Sequence, residues 1–383
     1  MPENTTPGTS VRWYTPRAWH GMTLPVWLRL WASHRFALSP RRIPLALSLC
    51  AWSAVLSFGK GIEELLHGRQ TRRAKIEHPP LFILGHWRTG TTLLHELLIR
   101  DEQFIYPTTY QCLSPHNFLH TTWIATHFFN FLLPERRPMD NMAVGWQRPQ
   151  EDEFALGNLG LKSPYLCWAY PECYGEYDRY LDLNELSPEE REHWRRVFVR
   201  FLTRVSLDRP GRLVLKSPTH TARVRTLLEI FPDAQFIHIV RNPYEVFPST
   251  VHTWERLEDY LYLKKRRRDD LEDYLFGLAR RMYDNFERDR AAIPQGNLCE
   301  VRFEELVIDP LAEMQRIYGE LSLGDFAAVR PALAEHLATQ KDYQRNKLEL
   351  PEEQHEKIAR HWADYIQRYG YADEPAALPL TMR

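Results

Sequence analysis

The chain predicts an α/β fold of three layers, a mainly parallel central sheet flanked by helices, with an N-terminal helical extension. Two observations carry this. Short apolar runs suited to buried strands recur at Leu81–Leu84, Leu213–Leu215, Gln235–Val240 and near Leu298–Phe303. Each leads into a polar or Gly-containing turn and then into apolar residues at helical spacing. Parallel strands need a crossover between them, usually a helix, so this alternation reads as a parallel sheet. A third observation, the change of texture at Pro79–Pro80, divides the 383 residues into an arm and helical extension over 1–78 and an α/β domain over 79–383.

Residues 1–20 are polar and Pro-containing, without periodicity; they read as an irregular arm and do not resemble a secretory leader. Leu24, Trp27, Leu28 and Trp31 share a helical face flanked by Arg29, His34 and Arg35. That face fits packing on the main domain, the preferred expectation, or lying in a membrane interface. Ile43–Phe58 is apolar but holds Pro44 and three serines. A bilayer span takes about 20 residues, so the run predicts a buried helix. Residues 1–78 carry a net charge of +7 and the remainder −8. This asymmetry predicts peripheral contact of residues 1–78 with an anionic membrane or partner.

Overall the chain is nearly neutral, at −1, which argues against a nucleic-acid partner. Five cysteines without a CxxC pair read as reduced thiols of a cytoplasmic protein.

Downstream of Leu84, the loop Gly85-His86-Trp87-Arg88-Thr89-Gly90-Thr91-Thr92 runs into a helix marked by Leu93, Leu94, Leu97 and Leu98. Amides of such a turn, with the helix N-terminus, make a cradle for anionic oxygens. The loop is P-loop-like, yet a nucleoside-triphosphate loop reads GxxxxGK[ST]. Here Thr91 stands at the Lys position and the cation is Arg88. A donor tail of lower charge than a triphosphate can be held this way without a metal. Further on, Lys216-Ser217-Pro218 ends a strand, and Arg241-Asn242-Pro243 follows Val240 and opens a helix that carries Ser249. Leu271, Tyr274, Leu275, Leu278, Met282 and Phe286 mark one face of a long helix, and Trp362, Tyr365, Ile366 and Tyr369 mark a terminal one. Lys264–Arg268, followed by two aspartates, reads as a solvated loop.

The stretch Arg88–Leu93 resembles the 5′-phosphosulfate loop of the sulfotransferases that use 3′-phosphoadenosine-5′-phosphosulfate (PAPS), in the version with Arg. Arg241 with Ser249 resembles the family's 3′-phosphate element. Leu215–Pro218 resembles the strand-end Lys of the tyrosylprotein and carbohydrate branches, and Val301–Leu306 the family's late strand–helix junction. The resemblance spans about residues 79–371 and is nearest the bacterial-type branch. It implies PAPS as donor, bound by Arg88, Thr89, Gly90, Thr91, Thr92, Arg241 and Ser249. It departs from the family where Leu93 replaces an adenine-stacking Trp, and where Thr108 and Thr109 stand near the position of a catalytic Glu. Arg345-Asn346-Lys347 is the candidate for the family's C-terminal basic motif, with Lys347 on the donor.

Sulfuryl transfer needs cations that offset charge at the reacting centre and a base for the acceptor proton. Arg88 and Lys216 are the candidate cations. His220 is the first candidate base, from its spacing to Lys216 and because imidazole suits proton abstraction near neutrality. Glu151 is second, in the acidic run Gln150–Glu153 between Trp146 and Phe154, and His116 third. His116, His120 and His127 lack a completing carboxylate or Cys at a familiar spacing, so no metal site is expected. Fifteen aromatic residues between Phe104 and Tyr177 suit a small-molecule, lipid or carbohydrate acceptor pocket, or an ordinary core. Two alternatives remain open: a P-loop kinase or NTPase, and a non-catalytic membrane-associated nucleotide-binding protein.

Overall fold

The computed structural model describes residues 15–133, 144–265, 270–339 and 350–372. Lys347, proposed above for the donor, lies outside the described residues, as do Arg266, Arg267 and Arg268 of the basic run. Helices α1 (Leu24–Ser33) and α2 (Ile43–Arg73) precede β1 (Leu81–Leu84) and α3 (Thr91–Leu98). There follow β2 (Phe104–Ile105), α4 (Thr109–Leu113), α5 (Phe118–Phe128), α6 (Asp152–Asn158), α7 (Arg179–Asp182) and α8 (Pro188–Asp208). Then come β3 (Arg212–Lys216), α9 (Val224–Ile230), β4 (Gln235–Val240), α10 (Pro243–Leu261), α11 (Leu271–Asp289) and β5 (Leu298–Arg302). The last helices are α12 (Phe303–Ile308), α13 (Pro310–Glu320), α14 (Phe326–Thr339), α15 (Glu352–His361) and α16 (Ala363–Tyr369).

The strands form one parallel sheet in the order β2-β3-β1-β4-β5. β1 is central, and its four residues are all buried, as a run apolar on both faces requires. Leu81 and Ile83 point into a layer with α3, α13 and α14, where they meet Leu94, Leu97, Met314 and Leu333. Phe82 and Leu84 point the other way, among Phe198, Phe201 and Val205 of α8 and Phe286 of α11. The alternation of the strand thus builds both flanking layers. The four strands expected from the sequence are present; β2, two residues at the sheet edge, has too little apolar pattern to be read.

A third cluster caps the carboxyl ends of the strands. Trp19, Met22, Trp27, Leu30, Ala46 and Leu49 pack there with Trp168, Trp254, Phe247 and Phe276. Trp27 is fully buried and stacks on Trp31 at 5.5 Å between centroids. α1 therefore packs on the domain through Val26, Trp27 and Leu30, while Leu28 of the expected face stays exposed. The expectation of a buried helix over Ile43–Phe58 is overturned: Leu47, Val55 and Phe58 of α2 are exposed, Phe58 at 74%. Among the described residues α2 packs along one side only, and its remaining apolar side chains are left uncovered.

Candidate active site

β1 ends at Leu84 and the chain turns at Gly85, whose φ is +152°. Its amide donates to Thr221 Oγ1 at 2.8 Å. Thr89 is buried and spends its hydroxyl inside the loop, donating to the carbonyl of His86 at 2.7 Å. Arg88 takes a left-handed φ of 70°, a conformation costly for a residue with a Cβ and held here by its surroundings. Gly90, at φ +101°, caps α3; a Cβ there would stand 2.2 Å from the Phe303 ring. The turn is thereby pinned, with the α3 N-terminus and the side chains of Arg88, Thr91 and Thr92 facing one cavity.

Two sequence elements more than 150 residues apart meet at this loop. Arg88 Nε donates to Ser249 Oγ at 2.9 Å. Arg241, at the end of β4, donates from a terminal nitrogen to the Arg88 carbonyl at 3.0 Å, and its guanidinium lies over Phe303 at 4.3 Å. Glu245, one turn into α10, pairs with Arg241, and Tyr365 brackets the Arg241 backbone with bonds to its N–H and C=O. Asn242 caps α10 by accepting from the Tyr244 amide at 2.9 Å. Arg241, Ser249 and a helix N-terminus thus meet in one place, a geometry suited to an anion.

Beside it lies a ladder of acids and cations. Glu151 Oε1 accepts from Lys216 Nζ at 2.7 Å. Asp152 pairs with His220 at 2.9 Å, and Glu153 is gripped bidentately by Arg223 at 2.6 and 3.1 Å. Ser217 and Thr219 donate to Asp152 and Glu153, each at 2.9 Å. Three consecutive acids are thus matched to basic side chains at 216, 220 and 223. Burial pushes the Asp152 carboxyl up, but the charge and hydrogen bond of His220, with Ser217, hold it below its usual range. Tyr165 donates to Glu151 Oε2; burial first, then the Glu151 charge, push this phenol well up, so it stays protonated as a donor.

Among the ladder's acids only Glu151 lines the cavity, a space of about 200 Å³. Its walls are apolar and aromatic: Trp87, Phe154, Trp168, Leu257 and Tyr260, with Leu113 and Leu133 farther out. Thr15, Pro16 and Ala18 contribute from the N-terminal segment.

The structure brings Arg88, Thr91, Thr92, Lys216 and Glu151 together and sets Arg241 and Ser249 against the same loop. It does not bring His220 to the cavity. That imidazole is fully buried between Phe82 and Phe198, with its Nε2 spent on Asp152. The order of preference for the base, His220 before Glu151, therefore reverses. His116 is also buried, bonded to the Asn158 carbonyl at 3.1 Å, and burial lowers its pKa to about 4. His120 pairs with Glu63, and His127 stands exposed on α5. Among the described residues no group of metal-ligating side chains converges. Tyr165, Trp87 and the N-terminal wall were missed from sequence. The acids at 151–153 and the basic side chains at 216, 220 and 223 were a signal for the ladder, but only once paired.

A short loop without the NTPase lysine, joined to an Arg–Ser pair and facing a Lys–Glu pair, is an arrangement suited to group transfer. Residues 79–327 match the model of the sulfotransferase family, and the chain belongs to that family. It is 41% identical to the omega-hydroxy-beta-dihydromenaquinone-9 sulfotransferase Stf3 of Mycobacterium bovis. That alignment covers 96% of this chain and 95% of the relative, so it takes in most of residues 1–78. The Mycobacterium tuberculosis protein of the same name matches equally. This chain is a sulfotransferase. Among solved structures, sulfotransferase STF9 from Mycobacterium avium has the same fold, with a TM-score of 0.65 at 20% identity, covering 95% of this chain and 98% of that one. STF1 from Mycobacterium tuberculosis follows at 0.62 and 20%, covering 89% and 91%.

Proposed function

We propose that the enzyme moves a sulfuryl group from PAPS to the hydroxyl of an apolar lipid, with Glu151 as base and Arg88 and Lys216 as the cations at the reacting centre. The observation that carries this is the Lys216–Glu151 contact at 2.7 Å, opening on a cavity shared with Arg88, Thr91 and Thr92.

The donor supplies an activated sulfur whose bond to a phosphate oxygen breaks as the bond to the acceptor oxygen forms. The chain's part is to hold and to move charge. Loop amides, Arg88 and the hydroxyls of Thr91 and Thr92 fit the anionic 5′ end, and Arg241 with Ser249 fits a 3′-phosphate through the bidentate reach of guanidinium. Glu151 takes the acceptor's proton; Tyr165 and Lys216 orient its two oxygens. As the carboxyl is neutralised, Lys216 is released from its partner and its charge serves the departing phosphate oxygen. The apolar walls exclude water, which strengthens each of these contacts.

The aromatic and aliphatic lining favours a lipid over a carbohydrate, and the mycobacterial relative is named for an omega-hydroxylated dihydromenaquinone. Five free cysteines suit a reducing, cytoplasmic setting. Radiolabelled PAPS offered with hydroxylated isoprenoid quinols, phenols, sugars and peptides tests the reading. Label is expected in the quinol lipids, at a rate unchanged after EDTA treatment. Transfer to sugars alone, or loss on chelation restored by Mg²⁺, sinks it.

A further inference from the structure

α2 presents a face that nothing among the described residues covers. Leu47, Ala51, Val55, Phe58, Ile62 and Leu65 recur at helical spacing, with Phe58 at 74% and Leu65 at 86% exposure. From Ile43 to Leu66 this stripe carries no charged residue, a length of roughly 35 Å at the helical rise. Arg69, Arg72 and Arg73 then follow on the same side. Arg41 stands just before the helix, and Arg41, Arg69 and Arg73 are exposed and make no ion pair among the described residues.

The neighbouring helix extends the patch. α5 lies against α2 through the Glu63–His120 pair and the stacked His67 and His120 rings, 6.5 Å apart. Trp123 and Ile124, one turn beyond His120, are exposed, as are Phe128, Phe129 and Phe131. Exposed apolar patches of this extent mark an interaction surface. Leu133, two residues past Phe131, lines the cavity that holds Glu151.

The helical run Pro40–Arg73 is long and apolar enough to cross a bilayer by length and composition. Its packing argues for lying flat instead. The opposite side of α2 is committed to α1 and α8: Glu63 pairs with the buried Arg204, and Glu64 with Arg200. A helix with one packed side, one apolar side and a basic end is built to lie in the membrane interface.

We propose that the enzyme docks on an anionic bilayer through the outer face of α2 and the α5 end, and draws its acceptor from the bilayer past Leu133. The basic end chooses the anionic surface, and the aromatic side chains of α5 settle among the headgroups. The acceptor clause rests on the lipid reading above; the docking surface does not.

The test is sedimentation of the full chain with vesicles, one set of phosphatidylcholine and one of phosphatidylcholine mixed with phosphatidylglycerol, at low salt. The wild type is expected to pellet with the anionic set. Leu47→Glu/Phe58→Glu is expected to lower the bound-to-free ratio by roughly tenfold or more, since it places charge where acyl chains should be. Arg69→Glu/Arg73→Glu is expected to weaken binding several-fold, on the anionic set only. Both variants alter exposed side chains, so melting temperature and affinity for adenosine 3′,5′-bisphosphate are expected to stay at wild-type values. A wild type that stays in the supernatant, or an L47E/F58E chain that pellets like it, overturns the proposal. So does a dimer seen by light scattering that L47E/F58E dissolves without any vesicle binding, which would assign the face to a second copy. Transfer to a detergent-dispersed quinol measured alongside keeps the two readings apart. Transfer without vesicle binding removes the docking surface alone; vesicle binding without transfer removes the lipid acceptor alone.

Discussion

The two ends of the cleft are built differently. The end proposed for the donor comes almost entirely from strand ends: a loop after β1, and Arg241 after β4 with Ser249 on the helix that follows. Its turn is shaped by Gly85, the left-handed Arg88 and Gly90, and held by Thr221, Ser249 and Phe303 from elsewhere in the chain. The end proposed for the acceptor is assembled from Thr15, Pro16 and Ala18, α4, the start of α6 and α10, none of which neighbours the others in sequence. Parallel strands deliver their carboxyl ends to one crevice, so a short motif suffices for binding an anion there. An apolar pocket has no such shared anchor. It takes its shape from whatever packs over the sheet, and that includes the N-terminal segment.

Several substitutions sharpen or break this contrast. If the acceptor end holds the base, Glu151→Gln should lower kcat by about 10²–10⁴ while calorimetry finds unchanged affinity for adenosine 3′,5′-bisphosphate. A variant that loses nucleotide affinity instead would erase the division between the two ends.

His220→Ala should act on the fold rather than on the chemistry. It leaves Asp152 buried without its partner, for which about 3–5 kcal/mol of stability is the expected loss, read from denaturant unfolding. A stable His220→Ala protein with ruined turnover would return the base to His220.

At the donor end, Arg241→Ala should weaken adenosine 3′,5′-bisphosphate by about 2–4 kcal/mol. AMP, which lacks the 3′-phosphate, should bind wild type and variant alike. Equal losses for both nucleotides would make Arg241 a support of the loop through its bond to the Arg88 carbonyl.

The smallest effect is a pH dependence with one imidazole at each end. His86 in the donor loop and His116 beside α4 are both lowered to about 4, chiefly by burial. Below the unfolded value of about 6.5 the unfolded chain takes up protons that the folded chain refuses, so stability falls as pH drops from there to about 4 and rises with pH across that window. Denaturant unfolding at about pH 7 and about pH 5 should show this. His86→Gln and His116→Gln should each flatten the slope, and a slope untouched by either would place these side chains in water.

How much was legible follows from how each part is made. Leu81–Leu84, Gln235–Val240 and the helices beginning at Thr91 and Pro243 were readable because buried parallel strands and capped helices carry their pattern within a few residues. The turn from Gly85 to Thr92 and the helix start at Arg241-Asn242-Pro243 were readable for the same reason; the donor role proposed for them came from a resemblance. Glu151 was ranked below His220 because spacing along the chain places Lys216 and His220 together, and they are indeed neighbours. Their side chains, however, leave in different directions, one to Glu151 and one into the layer between Phe82 and Phe198. The α2 stripe was misjudged because hydrophobicity predicts a need for cover and cannot say whether the fold supplies it.

By itself, then, the sequence determined four of the five strands, the helices that follow them and the turn after β1, since backbone conformation and alternation are set by neighbouring residues. The tertiary structure alone decided which carboxylate faces the cavity, which tryptophans wall it and which face of α2 stays bare. Those depend on contacts between segments tens to hundreds of residues apart, where each side chain goes wherever the combined packing of all layers leaves it a partner or leaves it none.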